Sequence, residues 1–217
     1  MIVGKKTLAI FLAATAFFFV LGARGSIKAL YARDAKEFNE LPDFVMTSVA
    51  ADGEPRELSK RDLLGRVWVA DFVFTHCGGP CPLLSAAMAR LQKDLPKEAL
   101  LVSFTVDPDK DTPRVLQEYA RAFKADPDRW IFVRGDKGAL YKLLYEGFNL
   151  PIAEDRDAPL GYRVMHSAKF VLVDAGGVVR GYYAGDNFSS LQKLRQDTLD
   201  LLKKEEVSEW PKKPSQS

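Results

Sequence analysis

The chain has 217 residues, of which 47% are hydrophobic, and 31 Lys and Arg stand against 29 Asp and Glu for a formal charge of +2. That is enough apolar material for one domain whose core needs no disulfide to fold. The near-neutral balance, with no basic run interleaved with aromatics, excludes nucleic acid as a partner on sequence grounds.

At the N-terminus Lys5 and Lys6 precede an uncharged, mostly apolar stretch over residues 7–23. As a helix at about 1.5 Å per residue it would run roughly 26 Å, slightly short of a ~30 Å hydrocarbon core. It also exceeds the ~7–15 apolar residues of a signal-peptide core. Leu21 and Val20 occupy positions where cleavage prefers a small residue, and no cysteine stands near residue 20 to carry a lipid. Residues 1–25 therefore read as an uncleaved signal anchor, a single transmembrane helix with the rest of the chain on the extracytoplasmic (periplasmic) side. A cleaved signal peptide is the alternative, and it exports the chain equally. Residues 26–40 read as a charged tether, 41–205 as the folded domain, and 206–217 as a polar tail.

A strand over 44–49 followed by Asp52-Gly53 predicts a hairpin reaching Leu58. Residues 67–74 are nearly continuous in apolar side chains, as a central parallel strand covered on both faces requires. Leu84, Met88, Leu91 and Leu95 then recur at helical spacing, and 99–106 is a second buried strand. Asp111-Thr112-Pro113 supplies a cap and a proline at the first helical position. The helix it opens has Leu116, Tyr119, Ala120 and Phe123 as its apolar face. A short strand over 130–133 and a helix over 137–146 follow, the latter with Leu140, Leu143 and Leu144 inward. Residues 149–165 hold prolines and charges but no period, and are expected to be a long loop. Strands over 168–174 and 178–184, joined through Ala175-Gly176-Gly177, make a second hairpin. Ser189 with Gln192 reads as a capping box for a closing helix that turns Leu191, Leu194, Leu201 and Leu202 inward. Parallel βαβ units between two hairpins describe an α/β, thioredoxin-like fold, a central mixed sheet flanked by helices.

The chain's two cysteines, Cys77 and Cys81, fall just after the 67–74 strand, at a carboxyl end, where open α/β sheets place their sites. With Cys81 opening a helix, the positive end of the dipole favours thiolate, the form that attacks disulfides and binds soft metals. A disulfide closing so short a loop restricts the unfolded chain little, so a purely structural bridge is the weaker reading. Of two histidines, His166 lies at the entry to a strand of the same sheet and can reach the thiols. His76 adjoins Cys77, but neighbours on an extended strand point to opposite faces. Asp71 stands inside an apolar strand, where a carboxylate needs a partner or a raised pKa. The alternative is an aspartate that reaches the sheet's rim.

Three motifs in order carry a family resemblance: Phe74-Thr75-His76-Cys77-x-x-x-Cys81-Pro82, the run Val106-Asp107-Pro108-Asp109-Lys110-Asp111-Thr112-Pro113, and His166-Ser167 before residues 170–174. Over roughly 41–202 the chain resembles the Sco/SenC proteins, membrane-anchored thioredoxin-fold copper proteins needed to assemble the CuA centre of cytochrome c oxidase. The resemblance implies a metallochaperone in which Cys77, Cys81 and His166 hold one copper ion as Cu(I) or Cu(II). Its partner would be the oxidase subunit carrying CuA, which receives copper or has its cysteines reduced. An upstream copper donor or thiol reductant would serve it in turn. Donor chemistry agrees, since two thiolates and an imidazole suit copper, whereas structural zinc normally takes four protein ligands. Met165 stands where many family members carry an acidic residue. The alternative is a metal-independent thiol–disulfide oxidoreductase using Cys77 and Cys81 as catalytic residues. Gly78-Gly79-Pro80 resembles thioredoxin's Gly-Pro pair with one glycine added, and Asp71 has the spacing of thioredoxin's buried aspartate. Against it, no proline precedes the 168–174 strand, where thioredoxins place a cis-proline; a histidine there favours metal. Asp107 and Asp111 read as loop structure and helix capping.

Overall fold

The computed structural model describes residues 39–77, 79, 81–150, 153–154, 164–165 and 168–207. The expected anchor, tether and tail lie essentially outside them. Among the described residues no helix is long and apolar enough to cross a membrane.

Every residue of β3 (Trp68–Val73) is buried, as its unbroken apolar run requires of a strand covered on both faces. It pairs parallel with β4 (Leu100–Thr105) on one side and antiparallel with β8 (Lys169–Val173) on the other. Beyond β4 comes β5 (Trp130–Arg134), and then the N-terminal hairpin of β1 (Val45–Val49) and β2 (Arg56–Ser59). Beyond β8 lies β9 (Val179–Ala184), so that among the described residues one seven-stranded sheet runs β2-β1-β5-β4-β3-β8-β9. The expected mixed sheet with a hairpin at each margin is what forms.

Helices cover both faces. A short α1 (Lys60–Leu63), too brief to leave a periodic signal, follows β2. On one face α2 (Cys81–Asp94), α3 (Pro113–Ala122) and α5 (Phe188–Val207) set Leu84, Met88, Leu116, Ala120 and Leu194 against Val69, Leu101, Trp130 and Phe132. On the other, α4 (Lys137–Lys142) runs on as a π turn, Leu143–Gly147, and brings Leu140, Leu143, Leu144 and Phe148 inward. Phe148 meets Trp68, Phe72 and Phe104 edge-on, with ring centroids 5.2–6.1 Å apart. Such pairs add about 0.5–1.5 kcal/mol each beyond the area they bury.

Two expectations need correction. The loop over 149–165 contains a small sheet of β6 (Ala153–Glu154) and β7 (Val164–Met165), with Ala153 opposite Met165. Two-residue strands are too short for alternation to show. The closing helix is capped by Asn187 instead of Ser189, for Asn187 Oδ1 accepts the Ser190 N–H at 2.9 Å. Ser190 Oγ instead accepts from Ala184 N at 2.7 Å, which ties the helix start to β9 and fixes it early.

Gly185 links β9 to that helix where space is tight. Its N–H donates to Ala168 O at 2.9 Å, and a Cβ there would lie 2.6 Å from Leu84 Cδ2 and 2.9 Å from Phe170 Cε1. Gly185→Ala is expected to cost about 1–3 kcal/mol by overpacking. The check is a lower urea midpoint at unchanged m.

Candidate functional site

At the carboxyl end of β3 the chain leaves the sheet and turns at once: Cys77 N–H donates to Phe74 O at 3.2 Å. The turn is held from the side by Asp111, a fully buried carboxylate. Asp111 Oδ1 accepts Thr75 Oγ1 at 2.6 Å and Thr75 N at 3.2 Å. Asp111 Oδ2 accepts the hydroxyl of Thr105 at the end of β4. Burial pushes the Asp111 carboxyl up, and the hydrogen bonds from Thr105 and Thr75 pull against it.

Asp111 is positioned by its own loop. Its N–H donates to Asp107 O at 3.0 Å, and Arg134 donates to Asp111 O at 3.2 Å and Pro108 O at 3.0 Å. Thr112, not Asp111, caps α3, accepting from Val115 N at 3.4 Å. The Asp-Pro motif is thus loop structure as expected, but the capping expected of Asp107 and Asp111 falls to Thr112, and Asp111's grip on Thr75 is one the sequence did not announce. The only signal available was a pair of threonines, Thr75 and Thr105, at the ends of two strands expected to be neighbours. Asp111→Ala would leave the Thr105 hydroxyl and the Thr75 amide without their acceptor, at about 1–3 kcal/mol each. The expected loss is about 2–5 kcal/mol in urea unfolding, with faster amide exchange at Thr75 and Cys77.

The two cysteines are not joined by a disulfide and occupy unequal positions. Cys77 is partly exposed, and its Sγ accepts the Gly79 N–H at 3.4 Å. Cys81 is the first residue of α2 and wholly buried. Burial, then a hydrogen bond with the Cys77 side chain, pushes the Cys81 thiol up. The expected preference for thiolate is therefore overturned at Cys81. A helix dipole supplies about 0.3–1 kcal/mol near a surface, less than the cost of burying a charge. An ion taking both sulfurs must displace protons, so its apparent affinity rises with pH.

His76 belongs to the Asp111 network: Nδ1 lies 3.0 Å from Thr75 Oγ1 and 4.0 Å from Asp111 Oδ1, on a side chain 59% exposed. His166 lies outside the described residues. Among those described, no group of three or more His, Cys, Asp or Glu side chains converges on a metal position. The described part of the site is the sulfur pair.

Asp71 is not at the rim. It is fully buried in β3, directly across from Ser103 in β4. Ser103 Oγ donates to Asp71 Oδ1 and in turn accepts the Trp130 Nε1–H at 2.8 Å. Asp71 Oδ2 has no hydrogen-bond partner among the described residues. Burial pushes this carboxyl up to about 7, against the lowering effect of the Ser103 hydrogen bond. Ser85, one helical turn after Cys81, shares a hydrogen bond of 2.8 Å with Tyr119 Oη. Burial raises the Tyr119 phenol, and the charges of Asp71, Cys81 and Cys77 add to that rise. A small polar interior therefore lies beneath the thiols.

The SCO1/SenC family model matches residues 32–202. The chain is 33% identical over 138 residues to the SCO1 protein homolog of Bacillus subtilis (strain 168), covering 60% of this chain and 68% of that one. A Stutzerimonas stutzeri protein named for copper binding is 30% identical over 154 residues, covering 69% of this chain and 74% of its own. Among solved structures, BsSco matches with a TM-score of 0.65 at 27% identity, over 77% of this chain and 96% of that one. BsSco is a member of the Sco family of cytochrome c oxidase assembly proteins in which a disulfide switch was identified.

Proposed function

The chain belongs to the SCO1/SenC family, and from that premise we propose that it is a membrane-anchored copper carrier for cytochrome c oxidase assembly. In this reading residues 1–25 are the anchor, 26–40 the tether, 41–205 the working domain on the extracytoplasmic side and 206–217 a tail. Cys77 and Cys81 bind copper through their sulfurs, His166 supplies an imidazole from the segment before β8, and the acceptor is the oxidase subunit bearing the CuA cysteines. An upstream donor supplies the copper.

The observation that carries this reading is the pairing of one partly exposed cysteine, Cys77, with one buried cysteine, Cys81, at the carboxyl end of β3. Two soft donors suit Cu(I). Cys77 is the more accessible of the two, so an incoming thiolate meets it first and copper can pass by exchange of one ligand at a time. Cu(I) titrated into the reduced protein is expected to bind one equivalent per chain. Absence of stoichiometric binding would sink the proposal.

A second reading has its own support. The same dithiol, with a buried carboxyl nearby, can reduce a partner's disulfide: the partner gains two electrons and two protons while Cys77 and Cys81 become a disulfide. Copper loading and disulfide formation exclude each other, since both use the same sulfurs. His166→Ala separates the two readings. It is expected to alter the thiolate-to-copper charge-transfer band of the Cu(II) form, whereas turnover of a protein disulfide that ignores the substitution would favour the reductase.

A further inference from the structure

His76 is a donor the copper reading leaves unused. On an extended strand it would point away from the face that Cys77 takes. Strand β3 ends at Val73, however, and the Cys77 N–H closes a turn on Phe74 O at 3.2 Å. His76 is therefore a turn residue at the carboxyl end of the sheet, and the strand rule does not govern it.

The hydrogen bonds around His76 fix which ring nitrogen carries the hydrogen. The Thr75 hydroxyl has one hydrogen and gives it to Asp111 Oδ1 at 2.6 Å. Asp111 accepts on both oxygens, for Oδ1 also takes the Thr75 amide at 3.2 Å and Oδ2 takes the Thr105 hydroxyl. Thr75 Oγ1 can then only accept across its 3.0 Å contact with His76 Nδ1, so the neutral ring carries its hydrogen on Nδ1. The lone pair is left on Nε2. That nitrogen has no hydrogen-bond partner among the described residues, on a side chain 59% exposed. An imidazole with one nitrogen tied back towards a carboxylate and the other open is the arrangement that metal-ligating histidines use.

Accessibility ranks the donors. Cys81 is wholly buried, and Cys77 is partly exposed with its side chain packed against the core that holds Phe72 and Phe74. A thiol must also shed its proton to hold a metal, whereas Nε2 of the neutral ring offers its lone pair directly. Of these three donors His76 is the most open.

We propose that His76 is the landing ligand for copper: Nε2 takes Cu(I) from the incoming donor, passes it to the sulfur pair, and is not a ligand of the loaded site. First a Cu–N bond forms at Nε2 as one bond to the incoming donor breaks. Cys77 then gives its proton to solvent, and its sulfur bonds copper as the remaining donor bond breaks. Cys81 follows, its proton also going to solvent, and the Cu–Nε2 bond breaks. Copper stays Cu(I) throughout. This inference rests on the copper reading above and adds to it a route of entry.

Two measurements test it. Nitrogen NMR of the reduced, metal-free protein, at a pH where the ring is neutral, is expected to place the His76 hydrogen on Nδ1. A hydrogen on Nε2 overturns the inference and leaves the copper reading untouched. Cu(I) held by bicinchoninate is then mixed by stopped flow with reduced wild type and His76→Ala. The second-order uptake constant is read from loss of the chelate's colour, beside an equilibrium titration of the same samples. The variant is expected to take up copper roughly tenfold more slowly, the lower end of what losing a group that serves a metal costs, at unchanged affinity. An unchanged rate overturns the inference. So does an affinity that falls together with the rate, since His76 would then support or complete the loaded site. Failure of wild type to bind copper at all overturns the copper reading itself, and this inference with it. Should His76→Ala not fold, His76→Gln, which keeps a polar side chain in the turn, takes its place with the same outcomes.

Discussion

Cys77→Ser is expected to abolish stoichiometric copper binding while leaving the unfolding transition nearly where it was. The reason lies in the chemistry of the donor and in its exposure. A serine hydroxyl is a hard donor that keeps its proton at neutral pH, so the ion would lose one of its two soft ligands. Substitutions that merely support a ligand cost about 10–100-fold in metal affinity, so removal of a ligand is expected to exceed ~100-fold. Cys77 is only partly buried, and the isosteric change should cost about 1 kcal/mol or less in stability. Cys81→Ser should lose copper equally, yet with a different signature. Its hydroxyl would enter a wholly buried site at the head of α2, adding roughly 1–3 kcal/mol of destabilisation unless it finds a partner. Titration with copper and urea unfolding on the same samples separate these effects. A Cys77→Ser protein that still bound one copper at wild-type affinity would remove sulfur coordination from the proposed function.

Asp71→Asn should make the metal-free protein more stable at pH 8, by about 2–4 kcal/mol. Burial raises the folded-state value from 3.8 to about 7, so near neutrality the folded chain binds a proton that the unfolded chain has given up. Stability then falls as pH rises, by about 1.4 kcal/mol per unit across the window from roughly pH 4 to pH 7. Below that window both states are protonated and this group imposes no penalty; above it the full penalty of about 4 kcal/mol remains. Asparagine cannot ionise, so the slope due to this position disappears. Part of the gain is offset because its amide meets the same interior in which Asp71 Oδ2 finds no partner. The measurement is urea unfolding of both proteins from pH 4 to pH 8, taking the difference so that other titrating groups cancel. Parallel curves would show that Asp71 ionises as freely in the folded state as in the unfolded one.

Much of the scaffold could be read from residues alone because its signals are local. The continuous apolar run of β3, the helical spacing from Leu84 to Leu91, and Thr112-Pro113 at the head of α3 each announce their element without reference to the rest of the chain. The site is legible to the same extent: two thiols between a buried strand and a helix are a local pattern. What escaped depends on distant partners. Asp71 looked equally able to reach the rim or the core, since an apolar strand does not say that Ser103 stands opposite. Asp111 gave no hint that it would grip Thr75, because that contact exists only once β3 and β4 lie side by side. The depressed acidity of Cys81 likewise follows from burial, which a helix-start argument does not contain. His166, the third expected ligand, is outside the described residues, and its place in the site is the subject of the His166→Ala experiment.

Strand β3, which delivers the thiols, leans on two neighbours of very different origin. Trp68 faces Leu100 on one side and Val173 on the other. The first pairing is available soon after synthesis, the second only when almost the whole polypeptide has emerged, and pairings between such remote segments form slowly. Both cysteines are therefore made long before their scaffold closes, and a truncated chain ending before Lys169 would carry them on a half-built platform. In an oxidising compartment, that interval is when the sulfurs most need a reducing companion.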